Sequence, residues 1–225
     1  MNILAFLIYV IPGGDVGIAI IILTILVKAA LYPLSQRSIE SQAKMNLLAP
    51  EISKIKAKGL SREEEARHTF ELYKTYKTNP FSGCLLVLIQ IPIIFALYFV
   101  FSRGINFSNG ILYSFIHAPE HLNMLFLGLI DISKKSLILA VLAGLSQYIQ
   151  SFFMPKPNMN MTNPGSFQES FSKSMHLQMR YVFPFIITFI AYSISGAIAL
   201  YWMTSNIFAT FQQIYAKNKS KNHEC

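Results

Sequence analysis

The sequence predicts an all-α membrane protein built on five transmembrane helices, and three observations carry that prediction. Of 225 residues, 53% are hydrophobic and only 13% charged, with a mean hydropathy of +0.42; soluble domains carry about 25% charged residues. Five apolar runs, at about 17–35, 82–101, 136–153, 180–195 and 197–215, stand out along the chain, most of them close to the roughly 20 residues that a helix needs to cross a bilayer. The basic residues cluster in the segments between these runs, where they act as topology signals. The net charge of +8 is therefore no mark of nucleic-acid recognition.

The elements follow in order. Residues 1–16 open with an apolar stretch that lacks the basic start of a signal peptide and is too short to span, so an interfacial segment feeding the Gly13-Gly14-Asp15 turn is expected. Residues 17–215 make the five-span core, and 36–81 within it form a helical hairpin. Met45, Leu48, Ile52 and Ile55 recur at 3-4-3 spacing, an apolar stripe on a helix that Pro50 can bend. Gly59-Leu60 ends that helix, and Ser61 with Glu64 has capping-box spacing for a second. Ala66, Phe70 and Tyr73 continue a matching stripe down to Asn79-Pro80.

Between the second and third spans, His117 and His121 have no third ligand nearby and read as surface residues rather than a zinc site. Residues 154–179, rich in Pro, Asn, Met and Ser, read as a linker. The runs 180–195 and 197–215 are together too long for one crossing at about 1.5 Å per residue, so a tight hairpin at Ser195-Gly196 is expected. Residues 216–225 remain as a short basic tail. Cys84 and Cys225 fit neither a disulfide framework nor a metal site.

Charge fixes the orientation. The 36–81 segment holds nine Lys and Arg, and the linker side and the tail bring that face of the membrane to fifteen, against Arg103, Lys134 and Lys135 on the other. Positive charge stays on the cytoplasmic side, which puts the hairpin and C-terminus in the cytoplasm and the N-terminus outside.

Lys28 is the residue that most needs explaining. It sits inside the first apolar run, where a lysine at a helix centre costs about 2.5–3.5 kcal/mol on insertion scales. The five runs contain no Asp or Glu, so no carboxylate within the spans can pair with it; water in a cavity or a visiting negative charge must. Depth gathers further polar residues around it. Lys28 is seven residues before Ser35, about 10 Å from the cytoplasmic end of its helix. Gln90, Gln147, Thr204, Ser205 and Asn206 fall at similar depth on other spans, and Thr24 lies one turn away on the same face. Each also has a plainer reading: Thr24 and Thr204 as hydroxyls bonded to their own backbone, Gln90, Gln147 and Asn206 as hydrogen bonds between helices, Tyr201 and Trp202 as packing aromatics. Taken together they suggest a polar groove open to the cytoplasm and closed towards the outside.

Three segments carry a resemblance to a known family. Leu23-Thr-Ile-Leu-Val-Lys28-Ala-Ala-Leu-Tyr-Pro-Leu34, Asn79-Pro-Phe-Ser-Gly-Cys-Leu-Leu-Val-Leu-Ile-Gln-Ile-Pro92 and Leu200-Tyr-Trp-Met-Thr-Ser-Asn206 resemble, in order and with a hairpin between the first two, the core spans of the YidC/Oxa family of membrane protein insertases. The resemblance implies five spans around a hydrophilic groove that opens to cytoplasm and lipid. It puts Lys28 where the family typically has arginine, keeping the charge without the planar bidentate fork. Thr24, Gln90 and Trp202 fall at places that line the groove or touch substrate, and Leu86 stands where the family often has proline.

The expected function is insertion and chaperoning of small membrane proteins, with no bond chemistry, no catalytic residue, no metal and no cofactor. The expected partners are newly made membrane proteins and the lipid bilayer, with the Sec translocon and the ribosome as candidates. The competing class is a small-solute transporter or channel using Lys28 as an anion site, against which stands the lack of any internal repeat.

Overall fold

The computed structural model describes residues 2–79, 82–102, 105, 112–119, 121–154, 174 and 177–223. Helix α1 (Asn2–Val10) leads through a 3-10 turn (Pro12–Gly14) into α2 (Val16–Ala30). The turn between them is pinned by Asp15, whose carboxylate accepts from the backbone N–H groups of Gly17 (2.8 Å), Ile18 (3.1 Å) and, across the fold, Leu127 (2.8 Å). One buried side chain thus caps the helix and ties it to the loop before the third apolar run.

The first apolar run does not stay straight to Ser35. Helix α2 ends at Leu31, and α3 (Tyr32–Ala57) sets off at 61° to it. Pro33 supplies the reason: in one continuous helix it would have no N–H for the Ala29 carbonyl and its ring would clash there. The bend is fastened to the far end of the chain, where Gln212 Nε2 donates to the Tyr32 carbonyl (3.3 Å) and Ser35 Oγ donates to Gln212 Oε1 (2.9 Å).

The hairpin forms from α3 and α4 (Arg62–Thr75), with α3 beginning at Tyr32 and running on through Pro50. Gly59 takes a positive φ of 63° at the turn. Ser61 and Glu64 form the reciprocal capping box that their spacing predicts. Leu48 and Ile52 of the α3 stripe are buried, whereas Phe70 of the α4 stripe is exposed and meets Tyr73 edge-on. Tyr76 donates to Glu51 (3.1 Å), and the Asn79 N–H to Ser41 Oγ (3.0 Å), closing the hairpin at its base.

Helix α5 (Ser82–Ser102) follows, and then a two-stranded antiparallel ribbon that the sequence reading did not foresee, β1 (Leu125–Phe126) with β2 (Ile130–Asp131), Phe126 opposite Ile130. His117 packs near Tyr9, and both it and His121 are exposed. Helix α6 (Leu137–Phe153) is capped by Ser136. After it come a π turn (Gln178–Val182), α7 (Phe183–Ile194) and α8 (Gly196–His223). The tail expected at 216–225 is helical as far as His223.

Alpha-helix 8 is the hub, packing on α2, α6 and α7 and touching α3 and α5. Small residues let the backbones approach: Ala19, Ala140, Ala143, Ala191, Ala197 and Ala199 are all fully buried. At Gly144 a Cβ would collide with Thr188 Oγ1 of α7, so any larger residue would force Thr188 to move. The joint between α7 and α8 is a single extended residue, Ser195, after which the Gly196 N–H donates to the Lys134 carbonyl (2.8 Å) and the Ala197 N–H to that of Ile132 (2.9 Å). The hairpin expected at Ser195-Gly196 is therefore built around the ribbon loop, which fills its corner.

Among the described residues no single helix is long and apolar enough to cross a membrane; α2 and the first part of α3 meet that length only as a bent pair.

Candidate functional site

Lys28 is partnered by an amide. Its Nζ donates to Gln90 Oε1 of α5 at 3.2 Å, and Gln90 Nε2 in turn donates to the Tyr201 hydroxyl of α8 at 2.5 Å. Three helices are thereby joined through one side chain. Gln90 suits the middle position because its amide offers an acceptor to the ammonium and a donor to the phenol at once. Among the described residues no carboxylate pairs with Lys28, and two of its three N–H donors meet no described acceptor.

A cavity of about 320 Å³ adjoins this relay, between α1, α2, α5 and α8. Tyr201 belongs to both, and Thr24 and Val27, on the turn before Lys28, line the wall from α2. The rest of the wall is hydrocarbon, including Leu4, Ile20, Leu23, Ile93, Leu97 and Val100. Thr24 adds little polarity to it, because its hydroxyl donates to the Ile20 carbonyl at 2.6 Å. The arrangement is an apolar slot with a cation beside it.

The remaining polar residues do not all gather there. Thr204 donates to the Leu200 carbonyl of its own helix (2.8 Å). Asn206 turns to α6, where its amide nitrogen donates to Ser146 Oγ (3.0 Å) and to the Ala143 carbonyl (3.4 Å). Gln147, next to Ser146 on α6, is buried, as are Ser205 and Trp202 on α8. Among the described residues, the polar positions at this depth include a Lys28–Gln90–Tyr201 set at the cavity, which Ser205 joins through a hydrogen bond with Tyr201. They also include an Asn206–Ser146 set between α6 and α8, and the Thr24 and Thr204 hydroxyls returned to their own backbone, with Gln147 in none of them. Leu86 lies in α5, at a position whose side chain is outside the described residues.

Tyr201 belongs to the cavity set although sequence reading left it out of the groove residues, with packing as its plainer role. The signal was present: a phenol inside an apolar run needs a hydrogen-bond partner when buried, and Tyr201 is nearly fully buried.

Comparison with known proteins bears on the whole chain. The family model described as 60Kd inner membrane protein matches residues 7–223. Membrane protein insertase YidC of Fusobacterium nucleatum subsp. nucleatum is 34% identical over 208 residues, which are 92% of this chain and 88% of that protein. The proteins of the same name from Francisella tularensis subsp. novicida and subsp. tularensis are each 34% identical over 203 residues, 89% of this chain. Of the Francisella proteins' own length the chain covers only 32%.

Proposed function

The chain belongs to the 60Kd inner membrane protein family, the YidC/Oxa insertases, and we propose that it is itself a cell-membrane insertase and chaperone for small membrane proteins. The single observation that carries this reading is Lys28, a cation in an apolar helix that has an amide for a partner and an apolar slot beside it.

In this reading α2 with the start of α3, α5, α6, α7 and α8 provide the five crossings, with the α3–α4 hairpin and the C-terminus in the cytoplasm and α1 outside. The fifteen-to-three division of basic residues supports that orientation. A hydrophobic segment enters from the cytoplasmic side. Lys28 attracts an acid in its leading tail and shortens the stretch of hydrocarbon that polar atoms must cross, which matters because an unpaired charge at mid-bilayer is costly. The apolar part of the segment lies along the slot and passes sideways into lipid, driven by burial of about 20 apolar residues. The membrane potential adds about 2.3 kcal/mol per charge per 100 mV in drawing a negative tail outward. Thr24, Gln90, Trp202 and Tyr201 face or brace this path, with Ser205 held to Tyr201, while Gln147, Thr204 and Asn206 support it from the α6–α8 side. Substrates are newly made membrane proteins, and the Sec translocon and the ribosome are the candidate partners.

Reconstitution tests the reading. Liposomes containing the purified protein are expected to integrate a radiolabelled single-span protein with an acidic tail, protecting that tail from external protease. Liposomes that leave the protein outside, or that pass a small anion instead, would refute it.

A further inference from the structure

Arg180 belongs to neither polar set. It lies in the π turn Gln178–Val182 that leads into α7, a kind of backbone irregularity that tends to accompany function. Its guanidinium carbon is 3.8 Å from the centre of the Phe152 ring at the end of α6, and 5.7 Å from that of Tyr181. Tyr148 braces both rings, edge-on to Phe152 at 4.8 Å and tilted against Tyr181 at 6.3 Å. Stacking on an aromatic face holds the cation and fixes its plane. Arg180 Nε is buried without a hydrogen-bond partner, and the guanidinium donates to no described residue and pairs with no described carboxylate.

A guanidinium stacked in this way, whose fork meets no acceptor among the described residues, is set for an oxyanion that can take parallel N–H bonds, a phosphate above all. The surroundings decide where the phosphate comes from. Tyr181, Phe185 and Phe189 recur every four residues, on one face of the turn and α7, and are 49%, 77% and 72% exposed. They form an aromatic ridge about 12 Å long that starts at the cation. A free phosphate ion has no use for such a ridge, whereas an acyl chain does, and basic pockets between membrane helices bind anionic headgroups. We propose that Arg180, Phe152 and Tyr181 hold the phosphate of an anionic phospholipid whose acyl chain lies along Phe185 and Phe189. The proposal rests on the reading of α7 as a membrane helix and not on insertion activity.

Native mass spectrometry of the full chain, released from vesicles of equimolar phosphatidylglycerol and phosphatidylcholine, tests it. The wild type is expected to retain one phosphatidylglycerol at least fivefold in excess of phosphatidylcholine. Arg180→Gln should bring that ratio near one, and Arg180→Lys, which keeps the charge without the fork, should fall between. Phe152→Leu keeps the cation and removes the ring, so it carries the same test should Arg180→Gln fail to fold; a lowered ratio is expected. An unchanged ratio in Phe152→Leu or in folded Arg180→Gln overturns the site. Displacement of the lipid by millimolar inorganic phosphate would make it a free-anion site and overturn the lipid assignment. A ratio that survives Arg180→Gln while insertion of an acidic-tailed protein falls would assign the cation to protein carboxylates instead. Insertion measured on the same wild-type sample keeps failure of this proposal separate from failure of the functional reading.

Discussion

Gln90 stands between Lys28 and Tyr201, accepting from the ammonium at 3.2 Å and donating to the phenol at 2.5 Å. The cation is thereby positioned without being neutralised, which a carboxylate in the same place would do. Substituting Gln90 therefore separates positioning from charge. Gln90→Glu is expected to pair with Lys28 and slow insertion of acidic-tailed proteins tenfold or more, with little effect on neutral-tailed ones. Tyr201→Phe removes the neutral hydrogen bonds to Gln90 and Ser205, worth about 1 kcal/mol each, and should slow the same substrates less than Gln90→Glu does. Insertion rates for both tails decide it; equal slowing of both by Gln90→Glu would count against charge as the operative property.

Lys28 itself calls for a two-by-two comparison, with and without the lysine and with and without the tail's acids. Lys28→Arg should retain activity, and Lys28→Ala and Lys28→Glu should lose it for acidic tails only. Because Lys28 has an amide for its partner, Lys28→Ala leaves no buried charge unpaired and should accumulate in the membrane at wild-type level. Independent effects of the two charges, with no coupling between them, would mean that Lys28 merely hydrates the slot.

Asn206 makes a contrasting case. Its bonds to Ser146 and the Ala143 carbonyl join α8 to α6 inside the core, and such interhelical hydrogen bonds in lipid are worth about 0.6 kcal/mol on average, up to about 1.7. Ser146→Ala should lower the thermal unfolding midpoint in detergent by a few degrees and leave the insertion rate unchanged at permissive temperature. A rate loss without a stability loss would move Asn206 from the scaffold into the substrate path.

The hairpin is tested by a break in the middle of α4. Thr69→Pro removes a backbone bond well inside the helix, and proline there costs about 3 kcal/mol, enough to unfold a surface helix without touching the apolar ones. Membrane abundance should hold while insertion falls. Undiminished insertion with proven loss of the helix would reduce the arm to a passive connector.

The cap of that helix also responds to pH. Hydrogen bonds from Ser61 lower the Glu64 carboxyl from its ordinary 4.5, so the folded state favours the ionised form. The contribution is in full force above about 4.5 and is lost as pH falls through the depressed folded value. Protection of the Glu64 amide, whose N–H is bonded to Ser61 Oγ, should fall in that acid range when compared with its intrinsic exchange rate. Ser61→Ala should weaken the pH dependence, leaving the share that comes from the Ser61 backbone N–H.

Orientation is tested with single cysteines after removal of Cys84 and Cys225. Lys58 in the hairpin turn, Asn218 near the end of α8 and Ser133 after the ribbon are all exposed. Lys58→Cys and Asn218→Cys should resist an impermeant thiol reagent in intact cells, and Ser133→Cys should react. The reverse pattern would invert the protein in the membrane.

The sequence by itself determined the helical membrane class, the approximate helix positions, the hairpin with its Ser61–Glu64 cap, and the anomaly of Lys28. These are local matters: run length, spacing and the scarcity of charge decide them within a few turns of chain. It also located the break at Ser195-Gly196, where two apolar runs exceed one crossing. Only the tertiary structure decided that Gln90 and Tyr201 hold Lys28, that Asn206 turns to Ser146 instead, that Thr24 and Thr204 bond to their own backbone, and that the first run breaks at Leu31 with Gln212 fastening the bend. Depth along a helix can be counted from its sequence, but the direction a side chain faces turns by about 100° with each residue. Which neighbour it meets therefore depends on how each helix is rotated and tilted against the others. That rotation is set by close contacts such as Gly144 against Thr188 and Gly196 against Ile132, which join residues far apart in the chain.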